Sequence, residues 1–180
     1  MGSRRIGQVL ATIAILALAG CGFHPVYAPA NSSLASPASV GLSRITVALV
    51  GGRAGQQLRE DLQQKFDIGG EGLSKLYELD TSFGIASDGI AFEHVIGFST
   101  RNRMTASANW TLVSLDANRK TIASGHSRQV DGFNPLSNTP FYTDLQTEQT
   151  QTRLAQAVAQ EISMQLAAYL AAHPPGNDDQ

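Results

Sequence analysis

The chain has 180 residues, of which 13 are Lys or Arg, 15 are Asp or Glu and one is Cys, giving a formal net charge of −2. A single thiol excludes an internal disulfide framework and a thiolate zinc cluster. The slight acidic excess argues against nucleic acid as a partner.

The first residues carry the strongest signal. Arg4 and Arg5 form a short basic region, and residues 6–19 are almost uncharged and mostly apolar before Gly20 and Cys21. That is the layout of a secretory signal peptide. The apolar run is shorter than the roughly 20 residues a helix needs to cross a bilayer. Leu18-Ala19-Gly20-Cys21 resembles the lipobox of bacterial lipoproteins, in which the thiol is alkylated before the peptidase cuts. The resemblance implies a signal peptide over 1–20 and a lipid anchor on Cys21. N-myristoylation fits less well, because position six is Ile rather than Ser or Thr. Twin-arginine export also fits less well, because Gly7 and Gln8 follow the arginines. Removing the leader leaves 160 residues with 11 basic and 15 acidic side chains, since Arg4 and Arg5 are its only charged residues. That length suits one domain.

Residues 21–42 read as the lipidated terminus and a flexible tether, because Ala, Asn, Ser and Pro follow the anchor without periodicity. Its aromatics, Phe23 and Tyr27, suit either the membrane interface or the domain surface. Residues 44–50 are rich in β-branched side chains and mostly apolar, as in a strand buried on both faces or at a sheet centre. Gly51-Gly52 breaks that run. Leu58, Leu62 and Phe66 then recur every fourth position over 53–66, predicting an amphipathic helix lying on a sheet.

Tyr77, Leu79, Thr81, Phe83 and Ile85 alternate with polar or small residues, the period of a half-buried strand. A second alternation sets Met104, Ala106, Ala108, Trp110 and Leu112 on one face, and residues 116–119 make a polar turn. The third run, 121–130, is less apolar and contains Gly125, so an edge strand or a bulge is expected. Together the three runs suggest an antiparallel meander. Residues 131–140 form a loop by composition. A long helix follows between 145 and 172 with Leu154, Val158, Ile162 and Leu166 in one row, and Pro174 and Pro175 stop it. The expected α+β fold is therefore a four-stranded, mostly antiparallel sheet with two helices packed on one face, in the order strand-helix-strand-strand-strand-helix. It would occupy residues 43–173, with a disordered tail over 174–180. The apolar stretch 89–98 is expected to be a short extra strand or part of an interface.

In this order the residues show a family likeness. Cys21-Gly22-Phe23-His24-Pro25-Val26-Tyr27, the strand around Ala108-Asn109-Trp110-Thr111-Leu112, the Gly125 strand and Phe141-Tyr142 before the last helix resemble the LPS-assembly lipoprotein family LptE in its shorter form. The resemblance spans nearly the whole chain after the leader and implies a partner rather than a reaction. Members of that family sit inside the large outer-membrane β-barrel LptD, plug it, assist its folding and contact lipopolysaccharide. Gly22, rather than Asp, after the anchor fits transit to the outer membrane. Of the functional residues, Cys21 alone is carried over by motif.

Charge supplies further candidates, because lipid A phosphates need cations and Arg offers them a bidentate fork. Arg101 and Arg103 precede a strand, Arg119 and Lys120 lie in the turn after it, and Arg128 is on the next strand. On one hairpin the first two pairs would lie at opposite ends, while Arg128 would approach the Arg101 and Arg103 end. Solvated charges at strand ends are the competing reading for each.

No motif supports catalysis, and no cofactor or metal is implied. Gly51-Gly52-Arg53-Ala54-Gly55 lacks the spacing of a nucleotide loop, and His24, His94, His126 and His173 share no ligand spacing. Glu93 beside His94 is an isolated pair, and no Gly-x-Ser-x-Gly elbow occurs. The expectation is a periplasm-facing outer-membrane lipoprotein that is not an enzyme. The alternative is an auxiliary lipoprotein of another intermembrane lipid-transport system, which an apolar pocket would favour.

Overall fold

The computed structural model describes residues 35–67, 72–92, 99–135 and 140–174. The leader, Cys21, Phe23, Tyr27, His24, Glu93 and His94, and the tail from Pro175 onward lie outside the described residues.

The first helix, α1 (Pro37–Ser43), falls in the stretch expected to be tether. A capping box holds it. Ser39 donates its amide to Ser36 Oγ at 3.1 Å, and Ser36 donates its own to Ser39 Oγ at 3.0 Å. Pro37 occupies the first turn, where a missing N–H costs nothing. Ala38 and Leu42 are buried, and Gly41 lies so close to the last helix that a Cβ there would stand 3.1 Å from Leu170 Cδ1. Seven residues are too few to show a helical stripe in sequence, so docking rather than periodicity fixes this element.

β1 (Ile45–Val47) is shorter than the expected 44–50 and lies at the sheet edge, not its centre. Its apolar character comes from burial of Ile45 and Val47 under the helices, with Val50 buried just beyond the strand. The chain then turns at Gly52, whose φ of 78° favours glycine, into α2 (Arg53–Phe66), the helix the sequence predicts. Leu58, Leu62 and Phe66 are at most 1% exposed.

The meander follows as β2 (Tyr77–Phe92), β3 (Ser99–Ser114) and β4 (Thr121–Phe133). β1 pairs parallel with β2, and the other two pairings are antiparallel, giving the order β1-β2-β3-β4. β2 extends beyond the expected end at residue 85, so residues 89–92 continue β2 instead of making an extra strand; 93–98 lie outside the described residues. β4 is the far edge, and a register shift separates Leu112 from Val113 in its pairing with β3.

The last helix, α3 (Pro140–Ala172), begins five residues before the predicted start at 145 and at about 1.5 Å per residue is some 50 Å long. It runs parallel to α2, with Arg53 paired to Glu148 and Lys65 bonded to Gln160. Among the described residues three helices, not two, therefore cover one face of the sheet. They share a core with Leu79, Met104, Ala106, Ala108, Trp110 and Leu112 from the strands. Each of the fully buried leucines contributes roughly 1.5–3 kcal/mol by leaving water.

Candidate functional site

Strand alternation sorts the meander into a covered face and an open one. On β2 and β3 the odd residues Tyr77 to Ile85 and the even residues Met104 to Leu112 point to the helices. Ser82, Gly84, Ala86 and Asp88 therefore share the open face with Thr105, Ser107, Asn109 and Arg128, around a shallow hollow. Small polar side chains can face water here because this side of an antiparallel sheet needs no cover.

All five basic candidates lie on this sheet or in its β3-β4 turn. Arg103 faces Asp88 across the β2-β3 pair, at a loose 3.7 Å. Arg101 and Arg103 line a second hollow with Ile90, Val130, Asp131 and Gly132 at the β3 start. Gly132 is required there, since a Cβ would meet the Asn102 carbonyl oxygen at 2.6 Å. Arg128 projects from the same face but is in register with Ser107, four residues along β3 from Arg103, or about 13 Å. It therefore sits midway along the sheet and not beside Arg101 and Arg103, because the ladder is regular here and fixes the offset.

Arg119 and Lys120 belong to the β3-β4 turn at the other end, as the hairpin geometry requires. Arg119 takes a φ of 44° and forms an ion pair with Glu78. That hydrogen bond, reinforced by the charge of Glu78 itself, raises the guanidinium pKa further. Asp116 organises the turn, its Oδ1 accepting the amides of Asn118 at 3.0 Å and Arg119 at 2.9 Å. Thr121 pairs with Val113 and Gly132 with Arg103, so the two basic ends stand roughly 33 Å apart. A single diphosphate cannot bridge them.

The sequence reading missed Asp88, which sets the local charge of the Arg103 end, because its place opposite Arg103 depends on the length of β2. It also missed the display of α3's first turns. Phe141 is 82% exposed, and Tyr142 and Leu145 are also exposed. A hollow between α2 and α3, lined by Arg53, Ala54, Gln57, Leu145, Glu148 and Arg153, is open and mixed in polarity. Among the described residues no His, Cys, Asp or Glu group of three or more converges on a metal position. No described helix is long and apolar enough to cross a membrane.

No protein-family model and no curated protein matches the chain. Its fold is shared with solved structures. A protein of Caulobacter crescentus CB15 provisionally named a lipoprotein is 23% identical, with a TM-score of 0.58, over 74% of this chain and 96% of that one. Rare lipoprotein B from Shewanella oneidensis is 9% identical with a TM-score of 0.52, over 69% of this chain and 93% of its own. Lipoprotein B from Nitrosomonas europaea is 13% identical with a TM-score of 0.52, over 71% and 84%. At these identities the likeness shows a common α+β fold.

Proposed function

We propose that the chain is an outer-membrane lipoprotein, anchored through Cys21, that binds and plugs an LptD-type β-barrel. In this role it assists assembly of the barrel and delivery of lipopolysaccharide to the outer leaflet, and it catalyses no reaction. The observation that carries this reading is the join between a lipobox at Cys21 and a domain whose fold recurs, over most of their length, in proteins named as lipoproteins. The LptE resemblance supplies the particular partner. Two structural features support a binding role. One sheet face is left open with Arg101, Arg103 and Arg128 displayed along it, and α3 begins with exposed Phe141, Tyr142 and Leu145. Aromatic residues and Arg are the side chains that interfaces concentrate.

The test is a mild-detergent pull-down of the tagged lipoprotein from outer membranes, with its partners identified by mass spectrometry. A large β-barrel in near-equal amount, lost from the membrane when the lipoprotein is depleted, is the expected result. Inner-membrane transporter subunits would instead favour an auxiliary role in another lipid-transport system.

A further inference from the structure

We propose that the outer edge of β2, from Thr81 to Ser87, accepts an extended segment of a partner polypeptide as an added strand of the sheet. β1 covers only the start of that edge. Ile45, Thr46 and Val47 pair with Tyr77, Glu78 and Leu79, Ala48 donates one more bond to the Leu79 carbonyl at 3.0 Å, and the chain then leaves for α2. β2 continues to Phe92. Alternate residues of a strand aim their backbone groups at the same neighbour. Tyr77 and Leu79 aim theirs at β1, so Thr81, Phe83, Ile85 and Ser87 aim theirs along the same side. Among the described residues no strand pairs there.

The vacant slot is lined for a strand as well as open. Phe83 and Ile85 are only half-buried against the core beside it. Leu49 is 80% exposed where β1 leaves the sheet, and the Thr81 hydroxyl is buried without a partner. The opposite edge is treated differently. There α3 leans over β4, with Gln165 Nε2 donating to the His126 carbonyl at 3.2 Å and Tyr169 Oη to the Ile122 carbonyl at 3.1 Å. An unblunted edge of this length is a template for strand addition.

Charge decides the occupant. A second copy, paired antiparallel about Gly84 so as to use the whole open stretch, would place Asp80 opposite Asp88 and Asp88 opposite Asp80. Like charges directly opposite destabilise a strand pair. Both carboxylates are on exposed residues of the open face, one at each end of the stretch, and Arg103 reaches Asp88 only loosely, at 3.7 Å. They favour a foreign segment with Lys or Arg in register with them and apolar side chains at alternate positions beside Phe83 and Ile85.

The inference rests on the proposed reading only in requiring a protein partner. Its test is residue-resolved amide hydrogen exchange on the full lipidated chain, alone in detergent and in the assembly drawn from outer membranes. The edge amides of Thr81, Phe83, Ile85 and Ser87 are expected to slow at least tenfold in the assembly. Ser87→Pro removes an outward donor while leaving the β2-β3 ladder intact, so it should keep the melting temperature and lose most of the assembly. Unchanged edge rates inside an intact assembly overturn the inference, as does undiminished assembly of Ser87→Pro. Slow edge exchange in the isolated chain would assign the slot to the chain's own residues, slowing that grows with chain concentration would assign it to a second copy, and recovery of no partner would leave no occupant; each overturns the inference. A barrel recovered with an unprotected edge would leave the functional reading standing alone, and protection by a different protein would do the reverse.

Discussion

Trp110 shows how much one side chain can join. Its ring lies across β4 at Gly125, where a Cβ would fall 2.5 Å from Cζ2, and its Nε1 donates to Gln165 Oε1 of α3 at 2.9 Å. Gly125→Val should displace the ring and cost about 1–3 kcal/mol, read by urea unfolding together with a red shift of the tryptophan emission. Unchanged stability would mean that the ring is not packed there. Close by, Glu161 accepts from Ser127 Oγ, from Gln129 Nε2 at 2.7 Å and from Gln165 Nε2 at 3.2 Å. The Ser127 bond is the largest cause holding its carboxyl below the ordinary value of 4.5. A depressed folded value gives stability that is present above the unfolded value and lost as pH falls through the folded one. Glu161→Gln should therefore melt below the wild type at pH 7, with the gap closing below pH 4.5. Asp61, whose carboxyl is lifted by burial, titrates in both proteins, so the difference isolates Glu161. A gap independent of pH would refute the charge-assisted network.

At the scale of elements, the departures from expectation share one cause. α2 and the buried face of β3 are long enough to repeat their period, and the structure keeps both where the pattern puts them. α1 and β1 are too short to show one, so their identity depends on what they touch. Leu42 in α1 is 2% exposed and joins the same core as Leu166 and Leu170. Leu42→Ala should cost about 2–5 kcal/mol in equilibrium unfolding, whereas a side chain on a free tether would cost almost nothing. β2 outruns its predicted end because its later residues, Ser87 to Ile90, are exposed and lose the alternation while the ladder with β3 continues.

For the whole molecule, the described residues put three helices on one face of a four-stranded sheet and leave the second face largely polar and the outer side of β2 unpaired beyond Leu79. This asymmetry suits a protein completed by a partner. Under the proposed reading the anchor places that surface, so Cys21→Ala should give an uncleaved precursor that takes up no labelled fatty acid and fails to sediment with outer membranes. Normal processing of that variant would remove the lipoprotein assignment and leave the fold untouched.

Periodicity made the α+β class, the meander and the two longer helices legible before any coordinates, because burying one face imposes a repeat that the residues must obey. The basic candidates could be named in the same way, and the hairpin order alone separated Arg101 and Arg103 from Arg119 and Lys120. Their remaining relations could not be read, since the offset of Arg128 and the meeting of Arg103 with Asp88 are set by register. Register, edge position and the docking of a seven-residue helix arise from pairings between segments distant in sequence, and no local pattern encodes them. The edge of β2 that the described residues leave unpaired belongs to this second class. It exists because β1 stops after three residues while its neighbour runs for sixteen, a mismatch that only the assembled sheet reveals.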